Sequence, residues 1–248
     1  MFKPSILHHR SCHFSCDTCV PNTFGVLCWN VHKNNSVHAN FKPFLQNFVN
    51  EKNVDFLLFQ EANFRDDKHF TLTNFAFNAA ANLEFRGEFY GVLSASRVES
   101  THAQAYLSEG KESIIGPHKS LILSAYPFED GSELLVLNVH AINFRENKRY
   151  HKELERFLEL IEHHEGPMII AGDFNSWNRG RMQKLHDIIE KLALHAVPFK
   201  QVDAVKSFMG NHLDFIFYRG VELVDFHVHG DHGLSDHNPL YAQFIKKS

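Results

Sequence analysis

The sequence contains no stretch approaching the roughly 18 consecutive apolar residues that a helix needs to cross a bilayer. The basic start, Met1 to Arg10, has no apolar run of signal-peptide length behind it. Neither stable membrane insertion nor a secretory leader is therefore expected, and the reading is of a soluble cytoplasmic protein. Positive charge is in short supply as well, with 25 Lys and Arg against 29 Asp and Glu and a formal net charge of −4. Non-specific binding to polyanions rests on a basic surface, so this balance argues against tight coating of DNA. It leaves phosphate chemistry open, because a bound metal ion can supply positive charge where the phosphate sits. Tyr and Trp are few, at 6 and 2 against 24 Phe, which describes a filled interior and points to no particular ligand. Internal repeats, low-complexity tracts and linkers are absent.

Cysteine is confined to the N-terminal end, as Cys12, Cys16, Cys19 and Cys28. The first three form C-x3-C-x2-C with His8, His9 and His13 nearby, a spacing compatible with zinc or an iron–sulfur cluster and shared with radical-SAM enzymes. Nothing later resembles the repeated βα units of that barrel. The preferred reading is a loosely packed N-terminal arm, residues 1–22, with free thiols, ahead of a single domain at 23–248.

Beyond the arm, apolar strands alternate with polar turns. Phe24 to Val31 and Val54 to Gln60 are continuous apolar runs that read as strands buried on both faces. Further strands are expected at Tyr90–Ser96, Ser120–Ala125, Glu133–His140, Pro167–Gly172, Leu213–Tyr218, Glu222–Val228 and Leu240–Ile245. Helical spacing appears in Phe41, Phe44, Leu45 and Phe48, in Tyr150, Leu154, Phe157, Leu158 and Ile161, and in Met182, Leu185, Ile188, Ile189 and Leu192. Gly166 is placed to end the second of these helices. Strands outnumber helices, which predicts two packed sheets with helices outside.

The chemistry-bearing residues fall at the ends of these strands. Asn30 closes one, Glu61 another and His140 a third; Asp173 and Asn175 follow Ile169-Ile170-Ala171-Gly172; Asp214 opens a strand; and Ser235-Asp236-His237-Asn238-Pro239 precedes the last. Each alone has a bland reading, since Asn caps turns and Gly-Asp is a common turn pair. Together they do not, because several carboxylates and histidines gathered at one sheet edge are too expensive to bury unless they pair or hold a metal. A zinc reading of His227, His229, His232 and His237 is weaker, as no thiolate lies nearby and His237 has another use.

Trp-Asn at 29–30, Gln-Glu at 60–61, Asn-Val-His at 138–140, Gly-Asp-Phe-Asn at 172–175, Leu-Asp-Phe-Ile at 213–216 and Ser-Asp-His-Asn-Pro-Leu at 235–240 resemble, in order, the motifs of the endonuclease/exonuclease/phosphatase superfamily, the deoxyribonuclease I-like enzymes. The phrases His140-Ala141-Ile142-Asn143-Phe144 and Phe217-Tyr218-Arg219-Gly220 are similar to an uncharacterised bacterial branch. The resemblance implies a four-layer α/β sandwich with two mostly antiparallel central sheets, and a metal-dependent phosphoesterase acting on a phosphodiester. It implies Glu61 as the principal ligand of Mg²⁺ or Mn²⁺, helped by Asn30 and Asp236, an oxygen set suited to a hard cation. It further implies Asp173 activating the attacking water, Asn175 donating to phosphoryl oxygens, His237 against the phosphate with Asp214 holding it, and His140 facing the remaining oxygens or the leaving group.

Lys119, beside His118, is the nearest match to the basic residue that such enzymes carry on the strand before Asn-x-His. Arg145, Arg179 and Arg181 lie just after motif residues and are either phosphate grips or solvated surface charges. A small nucleic-acid or soluble phosphodiester substrate is the first expectation, a lipid head group or a sugar or inositol phosphate the alternative. A silent binding protein on the same fold is a further possibility, and a monomer is favoured.

Overall fold

A computed structural model describes residues 6–10, 15–35, 37–65, 72–111, 118–143, 146–199, 204–230 and 233–247. In chain order its elements begin β1 (Ile6–Arg10), β2 (Thr23–Asn30), α1 (Phe41–Lys52), β3 (Val54–Phe64), β4 (Ala76–Phe85), β5 (Glu88–Ser96), β6 (His102–Lys111), β7 (His118–Pro127) and β8 (Glu133–His140). They continue with α2 (Asn147–Ile161), β9 (Met168–Asp173), α3 (Arg179–Lys191), β10 (His195–Ala196), β11 (Ser207–Phe208), β12 (Asn211–His212), β13 (Asp214–Arg219), β14 (Val221–Val228) and β15 (Leu240–Lys246). Among the described residues no helix is long and apolar enough to cross a membrane.

The strands form a seven-stranded sheet ordered β1-β4-β5-β3-β2-β15-β14, a six-stranded sheet ordered β10-β13-β9-β8-β7-β6, and the separate hairpin β11-β12. Among the described residues of the large sheets, only β2 with β3 and β8 with β9 run parallel. Each parallel pair is linked by a helix, α1 or α2, as parallel neighbours require.

Side-chain alternation explains the continuous apolar runs. Phe24, Val26 and Cys28 of β2, Phe56 and Leu58 of β3, and Val136, Ile169 and Ala171 of the other sheet meet in a core between the sheets. Their neighbours point outward: Leu27, Trp29, Leu57 and Phe59 pack with α1, and Leu137, Val139, Met168 and Ile170 pack with α2 and α3. Because both faces of the central strands are covered, apolar residues dominate on both, and the buried polar side chains Asp55, Gln60 and Asn138 are hydrogen-bonded. The result is the α/β four-layer arrangement of helix, sheet, sheet and helix.

Three expectations are corrected. The N-terminal segment is not a loose arm where it is described: β1 pairs along its length with β4, and Asp17 and Val20 make isolated bridges to Val98 and Phe128. Cys16 is in a disulfide rather than free, which takes its sulfur out of any metal cluster; Cys19 is a free thiol and Cys28 a buried free thiol inside β2. Cys12 and His13 lie outside the described residues. Gly166 does not end α2, which stops at Ile161 with Glu162 as its cap in ordinary helical geometry.

Candidate active site

The C-terminal ends of the two parallel pairs lie together, and the sheets are bolted there by polar side chains. Gln60 Nε2 donates to Asn138 Oδ1 at 2.7 Å, and Asn138 Nδ2 donates to the carbonyls of Leu93 at 3.0 Å and Phe59 at 3.2 Å. Both side chains are wholly buried, so the network is stable only because its members are hydrogen-bonded. Gln60 and Asn138 were not singled out by sequence reasoning, although they stand inside the Gln-Glu and Asn-Val-His motifs. The bolt fixes Glu61, one residue past Gln60, and His140, two residues past Asn138, at the rim.

On the first sheet, Asn30 ends β2 and its Nδ2 donates to Asp173 Oδ2 across the gap at 3.2 Å. Glu61 sits in a bulge of β3, where the register with β5 shifts between Phe59 and Ala62, and has φ +50°. A positive φ at a residue with a side chain is strained, and bulges of this sort redirect a side chain out of a strand. Glu61 Oε1 is 3.8 Å from Lys119 Nζ and 3.9 Å from His140 Nε2, beyond hydrogen-bond range.

On the second sheet, Asp173 ends β9 directly opposite Asp214, the first residue of β13. Gly172 makes this possible: its φ is +149° and a Cβ there would overlap the backbone oxygen of Val139. Asp173 Oδ1 accepts from the backbone N–H of Asn175 at 3.0 Å, and Asn175, itself at φ +50°, donates through Nδ2 to the Ala141 carbonyl at 2.9 Å. His140 Nε2 lies 3.6 Å from Asp173 Oδ2 and takes a hydrogen bond from Lys119 Nζ at 2.9 Å. Burial, and then the charge of Lys119, hold the His140 imidazole well below its ordinary pKa, so it is neutral.

His237 reaches the same place from the loop before β15. That loop is pinned by Trp29 Nε1 donating to the His237 carbonyl at 2.8 Å and by Ser235 Oγ donating to the Asn30 carbonyl at 2.7 Å. The imidazole Nδ1 bonds Asp214 Oδ2 at 2.7 Å. Burial opposes its charge, but the Asp214 carboxylate more than offsets this and raises the pKa to about 9. Asp173 moves up to about 7, through burial first and the neighbouring Asp214 second. The second oxygen of Asp214, Oδ1, is buried with no hydrogen-bond partner, and Asp173, Asp214 and His237 each present a ligand atom within 4.8 Å of the others. A rim with three carboxylates, one of them pushed toward protonation and another with an orphaned oxygen, fits a divalent cation.

Not every expected residue joins this group. Asp236 is half-exposed and engages His32 Nδ1 at 2.9 Å and Lys206 Nζ at 2.9 Å, so its carboxylate is turned to those bases rather than to Glu61. Arg181 is no phosphate grip: it is fully buried, donates to the carbonyls of Ile142 at 3.0 Å and Asn175 at 2.8 Å, and lies over the rings of Tyr150 and Trp177. Arg179 is exposed on the first turn of α3, and Arg145 lies outside the described residues. Of His118 and Lys119, only Lys119 enters the site; His118 bonds the Ser108 carbonyl at 2.6 Å. His227 and His229 pack their rings against Phe48, with Tyr241 and Phe44 alongside, and His232 lies outside the described residues.

The comparisons bear on the fold and the family. In sequence, the chain is 34% identical over 222 residues to the UPF0294 protein of Vibrio campbellii, covering 88% of this chain and 76% of that one. Among solved structures it is similar to an endonuclease/exonuclease/phosphatase family protein from Bacteroides thetaiotaomicron, with a TM-score of 0.69 at 16% identity over 91% of this chain and 98% of the other. It is also similar to a mannosyl-6-phosphatase of that organism, with a TM-score of 0.63 at 16% identity over 90% and 99%. The family model described as Endonuclease/Exonuclease/phosphatase family matches residues 27–237. The chain belongs to that family.

Proposed function

We propose that this protein is a divalent-metal-dependent phosphoesterase that hydrolyses a phosphodiester with water. The observation that carries the reading is the meeting of a neutral histidine, a cationic histidine and three carboxylates at one rim, drawn from β3, β8, β9, β13 and the loop before β15. Packing alone requires none of them there.

Glu61 and Asn30 would hold Mg²⁺ or Mn²⁺, with Asp173 beside them; when bound, the cation neutralises charge on the phosphoryl oxygens. The protein's own groups divide the remaining work. Asp173 accepts a proton from the attacking water as its oxygen bonds to phosphorus and the P–O ester bond breaks. His237, with Nδ1 committed to Asp214, presents Nε2–H to the negative charge that develops on phosphorus-bound oxygen, and the ion pair keeps it cationic. The unused amide hydrogen of Asn175 and the Lys119–His140 pair face the same oxygens from the other sheet.

Turnover of bis-para-nitrophenyl phosphate with Mg²⁺, Mn²⁺ or Ca²⁺, with and without EDTA, tests the proposal. Metal-dependent release of nitrophenol, reduced on the order of 10² or more in His237→Ala and Asp173→Asn, is expected. No turnover with any of the three cations would leave a binding protein on a catalytic fold.

A further inference from the structure

The segment that follows Asn30, from Val31 to Asn35, lies between the metal side of the site and the histidine side, and it is bonded to both. Toward β3, the regular ladder with β2 ends at Asn30 and Gln60. Val31 N–H then donates to the Gln60 carbonyl at 3.0 Å and Lys33 N–H to the Glu61 carbonyl at 2.9 Å. His32 and Lys33 have φ +47° and +63°, so the segment turns rather than running on as a strand, and the next rung comes from a side chain. Asn35 Nδ2 donates to the Asn63 carbonyl at 2.6 Å, while its Oδ1 accepts from the Asn63 N–H at 2.8 Å. A carboxamide carries the same donor and acceptor as a peptide unit, and here it stands in for one.

Glu61 needs that support. Its φ of +50° is strained for a residue with a side chain, and the register with β5 passes over it, from Phe59 to Ala62. It is held by the Lys33 N–H and, two residues on, by the Asn35 clamp. In the other direction, Asn34 Nδ2 donates to the Leu234 carbonyl at 2.7 Å, three residues before His237, and His32 Nδ1 meets Asp236 Oδ1 at 2.9 Å. An Asn in a loop ordinarily bonds its own turn. These two reach across 28 and 200 residues, to the chain segments that carry Glu61 and His237.

We infer that Asn35 and Asn34 are positioning residues of this site: Asn35 holds Glu61 in its bulge, and Asn34 holds the loop that presents His237. Both act through the main chain, since their amides engage backbone groups of the neighbouring segments. For the cation on Glu61 and the reaction at His237, the inference rests on the phosphoesterase reading. A residue that orients a metal ligand from behind changes metal affinity, by about 10- to 100-fold when it is lost, whereas a histidine on a displaced loop loses turnover. The two amides therefore fail in different ways.

Calorimetric titration of the full chain with Mg²⁺, after EDTA treatment, separates them. Asn35→Ala is expected to bind Mg²⁺ about tenfold more weakly than the parent, and Asn34→Ala to stay close to it. With bis-para-nitrophenyl phosphate at saturating Mg²⁺, Asn34→Ala is expected to lower kcat about tenfold with KM little changed. Excess Mg²⁺ should restore Asn35→Ala in part and Asn34→Ala not at all. Urea midpoints should fall by similar amounts in the two variants, so a general loosening of the loop cannot produce the split. Asn35→Gln, which keeps the amide but shifts it by one methylene, should change Mg²⁺ affinity in the same direction and serves if the alanine protein does not fold. Parental Mg²⁺ affinity in the Asn35 variants, equal weakening in both alanine variants, an unchanged kcat in Asn34→Ala, or a parent that binds no Mg²⁺ at millimolar concentration would overturn the assignment. A parent that binds Mg²⁺ and hydrolyses nothing would sink the phosphoesterase reading, with Asn35 still judged by its Mg²⁺ affinity.

Discussion

Asp173 and Asp214 stand directly opposite one another where β9 and β13 pair, two carboxylates at a position where like charges repel. The arrangement holds because His237 bonds one of them and its charge faces both. Asp214 is thus a positioning residue: it selects the Nδ1–H tautomer and stabilises the cation.

Asp214→Asn is therefore expected to lower kcat by about 10² or more with little change in KM, on the scale of losing an oriented histidine. The high-pH limb carries the sign. With Asp214 present, the histidine stays protonated to about pH 9, and activity should fall as pH rises through that value. Without it, burial is less opposed and the limb moves to lower pH. A pH–rate profile of both proteins reads this directly, and an unmoved limb would remove His237 as the cationic group.

Glu61→Gln is expected to weaken metal affinity and to be partly rescued by excess Mg²⁺, since one charged oxygen donor is replaced by a neutral one. Activity followed against Mg²⁺ concentration after EDTA treatment tests the assignment. A metal dependence identical to that of the parent would place the cation on other ligands.

Arg181 supports the site from behind. Its planar guanidinium holds the Ile142 and Asn175 carbonyls together, and Tyr150, caged beneath it, donates to the Phe174 carbonyl at 2.9 Å. Both bonds leave Nη1, and Lys has no planar group to lie over the Tyr150 and Trp177 rings and hold a donor at that point. Arg181→Lys is expected to lower kcat about tenfold while KM changes little, because Asn175 is displaced rather than the substrate-binding charge removed. Arg181→Met should in addition lower the unfolding free energy by about 2 kcal/mol or more, through unpaired buried carbonyls. Steady-state kinetics below the melting range separates the two effects; loss of stability with kcat unchanged would leave Arg181 purely structural.

The parts legible in the sequence were those whose reasons are local. The run Val54–Gln60 announces a strand because its alternate side chains enter two different cores. Strand β4 did not announce itself: Ala76–Phe85 is rich in Ala and Asn, poor strand formers, and is a strand because β1 and β5 flank it. Its small residues let the sheets approach, with Ser120 of β7 donating to the Ala80 carbonyl at 3.0 Å. The Gln60–Asn138 bolt was hidden because its partners are 78 residues apart. Arg181 was misjudged because a charged residue on a first helical turn ordinarily faces water, and only the meeting with Tyr150 and Trp177 turns it inward. Asp236 is drawn away from Glu61 by His32 and Lys206, neither of which carries a motif.

Asp55 offers a stability test away from the chemistry. Its carboxylate accepts from the Gly25 N–H at 2.8 Å, yet burial, only partly offset by that bond and by Arg97, raises its pKa from 3.8 to about 6. A carboxyl with a raised folded pKa binds its proton more tightly folded than unfolded, so its contribution to stability is lost as pH rises from about 4 to about 6. Asp55→Asn mimics the protonated form. Urea unfolding should find the variant gaining on the parent as pH is raised from 4 to 7, and a constant difference across that range would contradict the raised value.

Gly172 is the position where the backbone leaves least room. Its φ of +149° and the overlap of any Cβ with the Val139 backbone mean that Ala cannot be accommodated by turning a side chain; β8 and β9 must separate. Gly131 has φ +82° with open space around it, so Ala there meets only the backbone penalty of roughly 1–2 kcal/mol. Gly172→Ala is expected to lose about 3 kcal/mol or more, and activity with it, because Asp173 and His140 end the two strands forced apart. Urea melts of the two variants side by side make the comparison. Equal losses would mean that the β8–β9 ladder yields freely, and the fixed spacing between His140 and Asp173 on which the site depends would then have another origin.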